Sequence, residues 1–87
     1  MKLLFCTECC DVFSLKQEQV KSCSCGLSSG KYIDEVNATY TGKGVPLGFV
    51  NMQFIHAIKY QPKKGMGKVF TAFVISEDCE TFVKEEK

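Results

Sequence analysis

A chain of 87 residues, 45% apolar and 24% charged, can bury one small core but not two, and this balance excludes a disordered or membrane-spanning chain. Its formal net charge is +1, from eleven Lys and Arg against ten Asp and Glu, and a four-thiolate zinc site would lower that by a further two charges. Phosphate-backbone binding needs a strong positive field, so nucleic acid is the less favoured partner.

The first six residues, MKLLFC, imitate the start of a secretory signal. Only Leu3, Leu4 and Phe5 precede Cys6, however, where a signal needs roughly 7–15 apolar residues, and no run approaches the ~20 of a membrane span. The reading is a cytoplasmic protein without a membrane segment, in a compartment where clustered cysteines stay reduced and bind metal more often than they form disulfides.

In chain order, residues 2–5 and 11–15 are short strand-like runs that fold as a hairpin over the first cysteine cluster. Residues 16–22 are a polar connector, and GLSSG at 26–30 is a turn. Residues 31–42 alternate as one strand, with an interruption near Asp34-Glu35. GKGVPLG at 42–48, rich in glycine and holding Pro46, reads as a loop. Asn51 caps a helix that runs to about Tyr60 and stops before Pro62. Phe54, Ile55, Ala57 and Ile58 form its apolar stripe, with Gln53, His56 and Tyr60 pointing away. KKGMGK at 63–68 is a basic turn, VFTAFVI at 69–75 is the strongest strand signal, and Phe82-Val83 is a last apolar run. The expectation is a single α+β domain over 1–87, with an N-terminal zinc-ribbon β-hairpin (1–30) packed on a short antiparallel sheet with one α-helix (31–83), and a frayed tail at 84–87.

Five of the six cysteines fall in the first 25 residues. Cys6 and Cys9 have the two-residue spacer that lets one tight turn aim both sulfurs at a single point. Cys23 and Cys25 are closer, but Gly26 follows and frees the backbone to turn amides toward a sulfur. The four together spell one closed structural Zn²⁺ site per chain, with no open position for catalysis. A redox-active thiol pair lacks a βαβ context, and an iron–sulfur centre is disfavoured by the cramped Cys23–Cys25 pair. Cys10 occupies the slot that Gly26 fills after the second pair. It should point away, as a small buried residue or a free thiol, the alternative being that it replaces a neighbouring cysteine as ligand. Cys79 reads as a half-buried core residue.

The segments KLLFC-x2-C, SCSCG, GKYIDEVNATYTG, PLGF and GMGKVFTAFVI resemble a family of small uncharacterised zinc-ribbon proteins of tailed bacteriophages, along nearly the whole chain to about Val83. Glycine is typical after the first cysteine pair in that family, so Cys10 departs from the pattern. The resemblance implies a phage accessory protein acting inside an infected bacterium, hence in the host cytoplasm.

Other signals are weaker. GLSSGK at 26–31 fails as a nucleotide phosphate loop on spacing, and Tyr32 stands where Ser or Thr is required. The turns TGKG (41–44) and GMGK (65–68) bracket the helix. If a small anion binds, Tyr40, Lys43, Asn51 and Lys68 are the candidate contacts. Met52, His56 and Tyr60 line up along the helix opposite its core stripe, as a surface for a host protein or second subunit or as a face covered by a loop. His56 has no titratable partner at a fixed spacing, and the carboxylate pairs Asp34-Glu35 and Glu77-Asp78 diverge, so no catalytic set is assembled. The functional expectation is a non-enzymatic phage zinc-binding module of counter-defence type, which engages a host component or sequesters a small nucleotide-like signal. A nucleic-acid-binding zinc ribbon acting in transcription is the alternative.

Overall fold

The computed structural model describes residues 2–85. Within them the chain is mostly β, with two four-stranded sheets and one short helix. The first sheet holds β1 (Lys2–Cys6), β2 (Val12–Ser14), β6 (Gly44–Phe49) and β7 (Ala72–Val74) in the order β2-β1-β6-β7. The second holds β3 (Lys21–Ser22), β4 (Ser28–Tyr32), β5 (Ala38–Gly42) and β8 (Phe82–Lys84) in the order β3-β4-β5-β8. All neighbours are antiparallel except β5 and β8, which run parallel.

This differs from a hairpin lobe packed on a separate sheet. β1 and β2 do pair, with Leu4 opposite Phe13, but β1 also pairs along its whole length with β6, placing Leu4 opposite Pro46 and Cys6 opposite Gly44. Residue 30 is no boundary between lobes, because Gly30 lies inside β4 and each sheet takes strands from both halves of the chain.

The expected loop at 42–48 is instead a central strand. Pro46 faces Ile75 at the end of the β6–β7 ladder: its carbonyl accepts Ile75 N–H at 2.9 Å, the N–H it lacks is the one that would complete that pair, and its bonds toward β1 are made by its neighbours, so the proline ends one ladder without breaking the other. The glycines answer to close packing. A Cβ on Gly44 would sit 2.7 Å from the Leu4 side chain, and one on Gly48 would sit 2.7 Å from the Phe73 ring. The strand expected over 31–42 is two strands. Between them Asp34 Oδ1 accepts the Val36 and Asn37 amides at 2.8 and 2.7 Å, which closes the turn. Its carboxyl is held below the usual range by the Asn37 side chain and by these amides.

The main core gathers Leu4, Cys6, Phe13, Leu15, Cys23, Ala38, Tyr40 and Phe82. The Tyr40 and Phe82 rings meet edge to face at 5.1 Å, a geometry aromatic pairs favour. Residues 84 and 85, expected to fray, are held instead. Lys84 lies in β8 and Glu85 N–H donates to Tyr40 carbonyl at 2.7 Å, while residues 86–87 of the expected frayed tail lie outside the described residues.

The helix α1 (Asn51–Lys59) follows β6 directly. Its N-cap is Val50, with no side-chain capping bond, so Asn51 is the first helical residue rather than the cap. Of the expected core stripe only Ala57 is buried and Phe54 half-buried, whereas Ile55 and Ile58 are 61% and 57% exposed. A small aromatic cluster holds the helix down: Phe49, Phe54 and Phe70 lie with centroids 4.9–5.0 Å apart. The strand expected over 69–75 shrinks to β7, because β6 offers ladder partners only from Phe49 to Leu47.

Candidate metal centre

Each cysteine pair sits at the tip of a different sheet. Cys6 ends β1 and Cys9 lies in the turn toward β2, while Cys23 and Cys25 lie in the turn from β3 to β4. The four sulfurs all lie within 4.8 Å of one another. Cys25 Sγ is 3.7 Å from Cys6 Sγ and 3.6 Å from Cys23 Sγ. A tetrahedral ion with bonds near ~2.3 Å requires sulfur–sulfur edges of about 3.8 Å, whereas a disulfide needs about 2.05 Å. All six cysteines are free thiols. Cys6, Cys9, Cys23 and Cys25 can thus hold a metal ion between the two sheets.

Local chain geometry makes both turns alike. Cys10 N–H donates to Cys6 carbonyl at 2.8 Å, and Gly26 N–H to Cys23 carbonyl at 3.1 Å. The residue after each pair takes a left-handed conformation, Cys10 at φ 61° and Gly26 at φ 80°. This explains glycine in the second slot and leaves Cys10 in a conformation that costs a β-carbon residue about 1–2 kcal/mol. As the spacing implied, Cys10 lies outside the sulfur cluster; its thiol is exposed rather than buried. Cys79 is half-buried against the core, with Sγ 3.5 Å from Thr81 Oγ1.

Several supporting residues escaped the sequence reading. Asp11 Oδ2 accepts Ser24 N–H at 3.0 Å and Ser24 Oγ–H at 3.1 Å, and Asp11 carbonyl accepts Cys6 N–H at 2.9 Å. One residue thereby clasps the two cysteine turns together. The β5–β6 turn leans on both: Lys43 N–H donates to Leu27 carbonyl at 3.1 Å, and Lys43 carbonyl accepts Thr7 N–H at 3.3 Å. Gly42, at φ 82°, permits that approach, since a Cβ there would collide with the Leu27 carbonyl oxygen. No spacing rule signals these contacts, which join segments far apart in sequence.

The donor set suits a cation. Ser28 N–H donates to Cys23 Sγ at 3.3 Å. The Ser28 hydroxyl is buried and has no partner at ordinary hydrogen-bond geometry, yet it is the largest influence holding the Cys6 thiol below its usual range, followed by the Cys9 amide. A thiolate at Cys6 gives that hydroxyl its acceptor. Burial works against the Cys23 thiolate, but the Ser28 amide and then the Cys25, Cys6 and Cys9 thiols bring it down to about 6. Cys25 gains from the Leu27 amide, but burial and the crowd of Cys23, Cys9 and Cys6 push it up to about 12. Without a cation the cluster shares protons, because four neighbouring thiolates repel. A divalent ion held by the four sulfurs would remove that repulsion and displace the remaining protons.

The residues suggested for an anion do not converge. Tyr40 is 3% exposed in the core, Lys43 engages the cysteine turns through its backbone, and Asn51 starts the helix. Lys68 lies in the loop before β7, where it lines one hollow with Met52 and His56 and another with Phe54, Phe70, Lys63 and Lys64. Met52 and Tyr60 are 80% and 55% exposed, and the His56 and Tyr60 rings lie 4.7 Å apart. No described helix is long and apolar enough to cross a membrane. No protein-family model, curated protein or solved structure matches this chain.

Proposed function

We propose that this chain is a non-enzymatic binding module, stapled by one structural zinc ion, that captures a small anion with a flat apolar body, nucleotide-like in its chemistry. The observation that carries the reading is a surface cavity of about 440 Å³ with Phe54, Ala57 and Phe70 on its apolar side and Lys63, Lys64 and Lys68 around it, in which no lining residue is acidic. The whole segment 36–76 holds five lysines and no Asp or Glu, so the net charge of +1 conceals a positively charged stretch of chain, three of whose lysines line this cavity. A volume of this size suits a small organic ligand. Aromatic rings can stack a flat base, and flexible lysines serve as point charges for phosphate.

Zinc is the ion that four thiolates at this spacing favour, and a site closed by four protein ligands leaves no place for a substrate. Its contribution is to hold the two sheets together. The resemblance to phage-encoded zinc-ribbon proteins gives this capture a setting, the sequestration of a host signal in an infected bacterium. The exposed Met52, Ile55 and Tyr60 support a second reading, in which the helix contacts a host protein.

Calorimetric titration with a panel of nucleoside monophosphates and cyclic dinucleotides, with inorganic phosphate as the arm lacking an apolar body, tests the proposal. At least one nucleotide is expected to bind more tightly than phosphate. The combined Lys63→Gln, Lys64→Gln and Lys68→Gln variant should weaken binding by at least tenfold, about 1.4 kcal/mol, with zinc retained. A panel that fails to bind, or binding indifferent to the lysines, contradicts the reading.

A further inference from the structure

Strand β7 ends its sheet, with β6 on one side and no strand on the other among the described residues. Thr71 carbonyl accepts Val50 N–H and Ile75 N–H donates to Pro46 carbonyl, so 71, 73 and 75 direct their backbone groups at β6. Ala72 and Val74, between them, direct theirs outward. All three residues of β7 are exposed, Phe73 by 49% and Val74 by 68%, and Val69 just before it is 94% exposed. No charged residue interrupts positions 69–76. Natural sheet edges normally carry lysine, proline or a bulge against unwanted pairing, and this one carries none within its strand.

The charges at its two ends are opposite. Lys63, Lys64 and Lys68 precede the strand, and Glu77, Asp78 and Glu80 follow it. We infer that β7 pairs antiparallel with β7 of a second copy about a two-fold axis, joining the two first sheets into one sheet of eight strands. A parallel partner would set lysines beside lysines and acids beside acids. An antiparallel one brings each lysine end to an acidic end. With Ala72 opposite Val74 the outward N–H and C=O groups exchange hydrogen bonds, Phe73 meets its counterpart near the axis, and Lys68 is carried toward Asp78. The contact is isologous and closes at two copies, so it does not propagate into a fibre. The Phe73 ring packs on its own sheet over Gly48, which leaves the edge clear.

Sedimentation velocity of the zinc-loaded full chain over a dilution series reads the result. The expected species has twice the 9.7 kDa chain mass. Val74→Pro deletes an N–H that the single copy does not use and should give a monomer with its zinc intact. Should that variant fail to fold, charge reversal keeps the test: Lys68→Glu or Asp78→Lys alone should weaken the dimer on the order of tenfold, and the two together should restore it. A monomer at every concentration, a dimer that survives Val74→Pro, or a double reversal that does not restore pairing overturns the inference.

Discussion

Replacing Cys23 with serine is expected to cost the protein both its metal and its fold. Cys23 belongs to the main core and is 5% exposed. Its sulfur lies 3.6 Å from that of Cys25, and it receives the Ser28 amide. A structural zinc supplies on the order of 10–16 kcal/mol of apparent binding free energy in small domains, comparable to the whole stability of a folded chain, about 5–15 kcal/mol. Three remaining thiolates cannot close the tetrahedron, and the two sheet tips then come apart. Circular dichroism should report an unfolded chain, and elemental analysis less than one zinc per chain. Adding a chelator to the unmutated protein should reproduce both changes. Cys10→Ser is the matched control, because Cys10 lies outside the sulfur cluster with an exposed thiol, and it should keep metal and fold alike.

Phe82→Ala should cause the largest loss among substitutions away from the metal. The ring is wholly buried, meets Tyr40 edge to face at 5.1 Å, and sits in a strand that closes the second sheet beside β5. Emptying a buried aromatic site costs about 3–5 kcal/mol. With each kcal/mol worth roughly 4–8 °C in a domain of this size, thermal unfolding of the zinc-loaded protein should shift down by well over ~10 °C. Val83→Ala, one position along and 47% exposed, should shift it only slightly. Equal effects at the two positions would mean that β8 is not packed as described.

The two cysteine pairs were legible because each is local. A two-residue spacer, a one-residue spacer and a following glycine fix turn geometry within a few residues, and the shared left-handed slot of Cys10 and Gly26 is the same logic seen in coordinates. The break at Asp34 was legible for the same reason. What the sequence hid was long-range. β6 looked like a loop because Gly44, Pro46 and Gly48 weaken a strand in isolation; only the approach of Leu4 and Phe73 shows why small residues stand there. Residues 69–75 looked like one long strand because propensity does not count available partners, and β6 supplies only a few. The stripe of Ile55 and Ile58 matched a buried helical face, but the helix rests on Phe49 and Phe70 through Phe54, leaving both isoleucines outside. Among the anion candidates, Tyr40 was lost to the core, and Lys68 gained neighbours, Lys63 and Lys64, that the sequence had assigned only to a turn.

Because each pair sits on a different sheet, an ion held between them would act as the joint of the whole molecule rather than as the staple of one hairpin. Asp11 and the Lys43 turn brace the cysteine turns from either side, but neither would replace an ion, since both act through a few hydrogen bonds of about 1 kcal/mol net each.

X-ray absorption at the zinc edge, recorded on protein purified without added metal, tests this most directly. The account predicts one zinc per chain with four sulfur neighbours near ~2.3 Å and no nitrogen or oxygen in the shell. A shell containing oxygen or nitrogen, or a folded protein that carries no zinc, would contradict it.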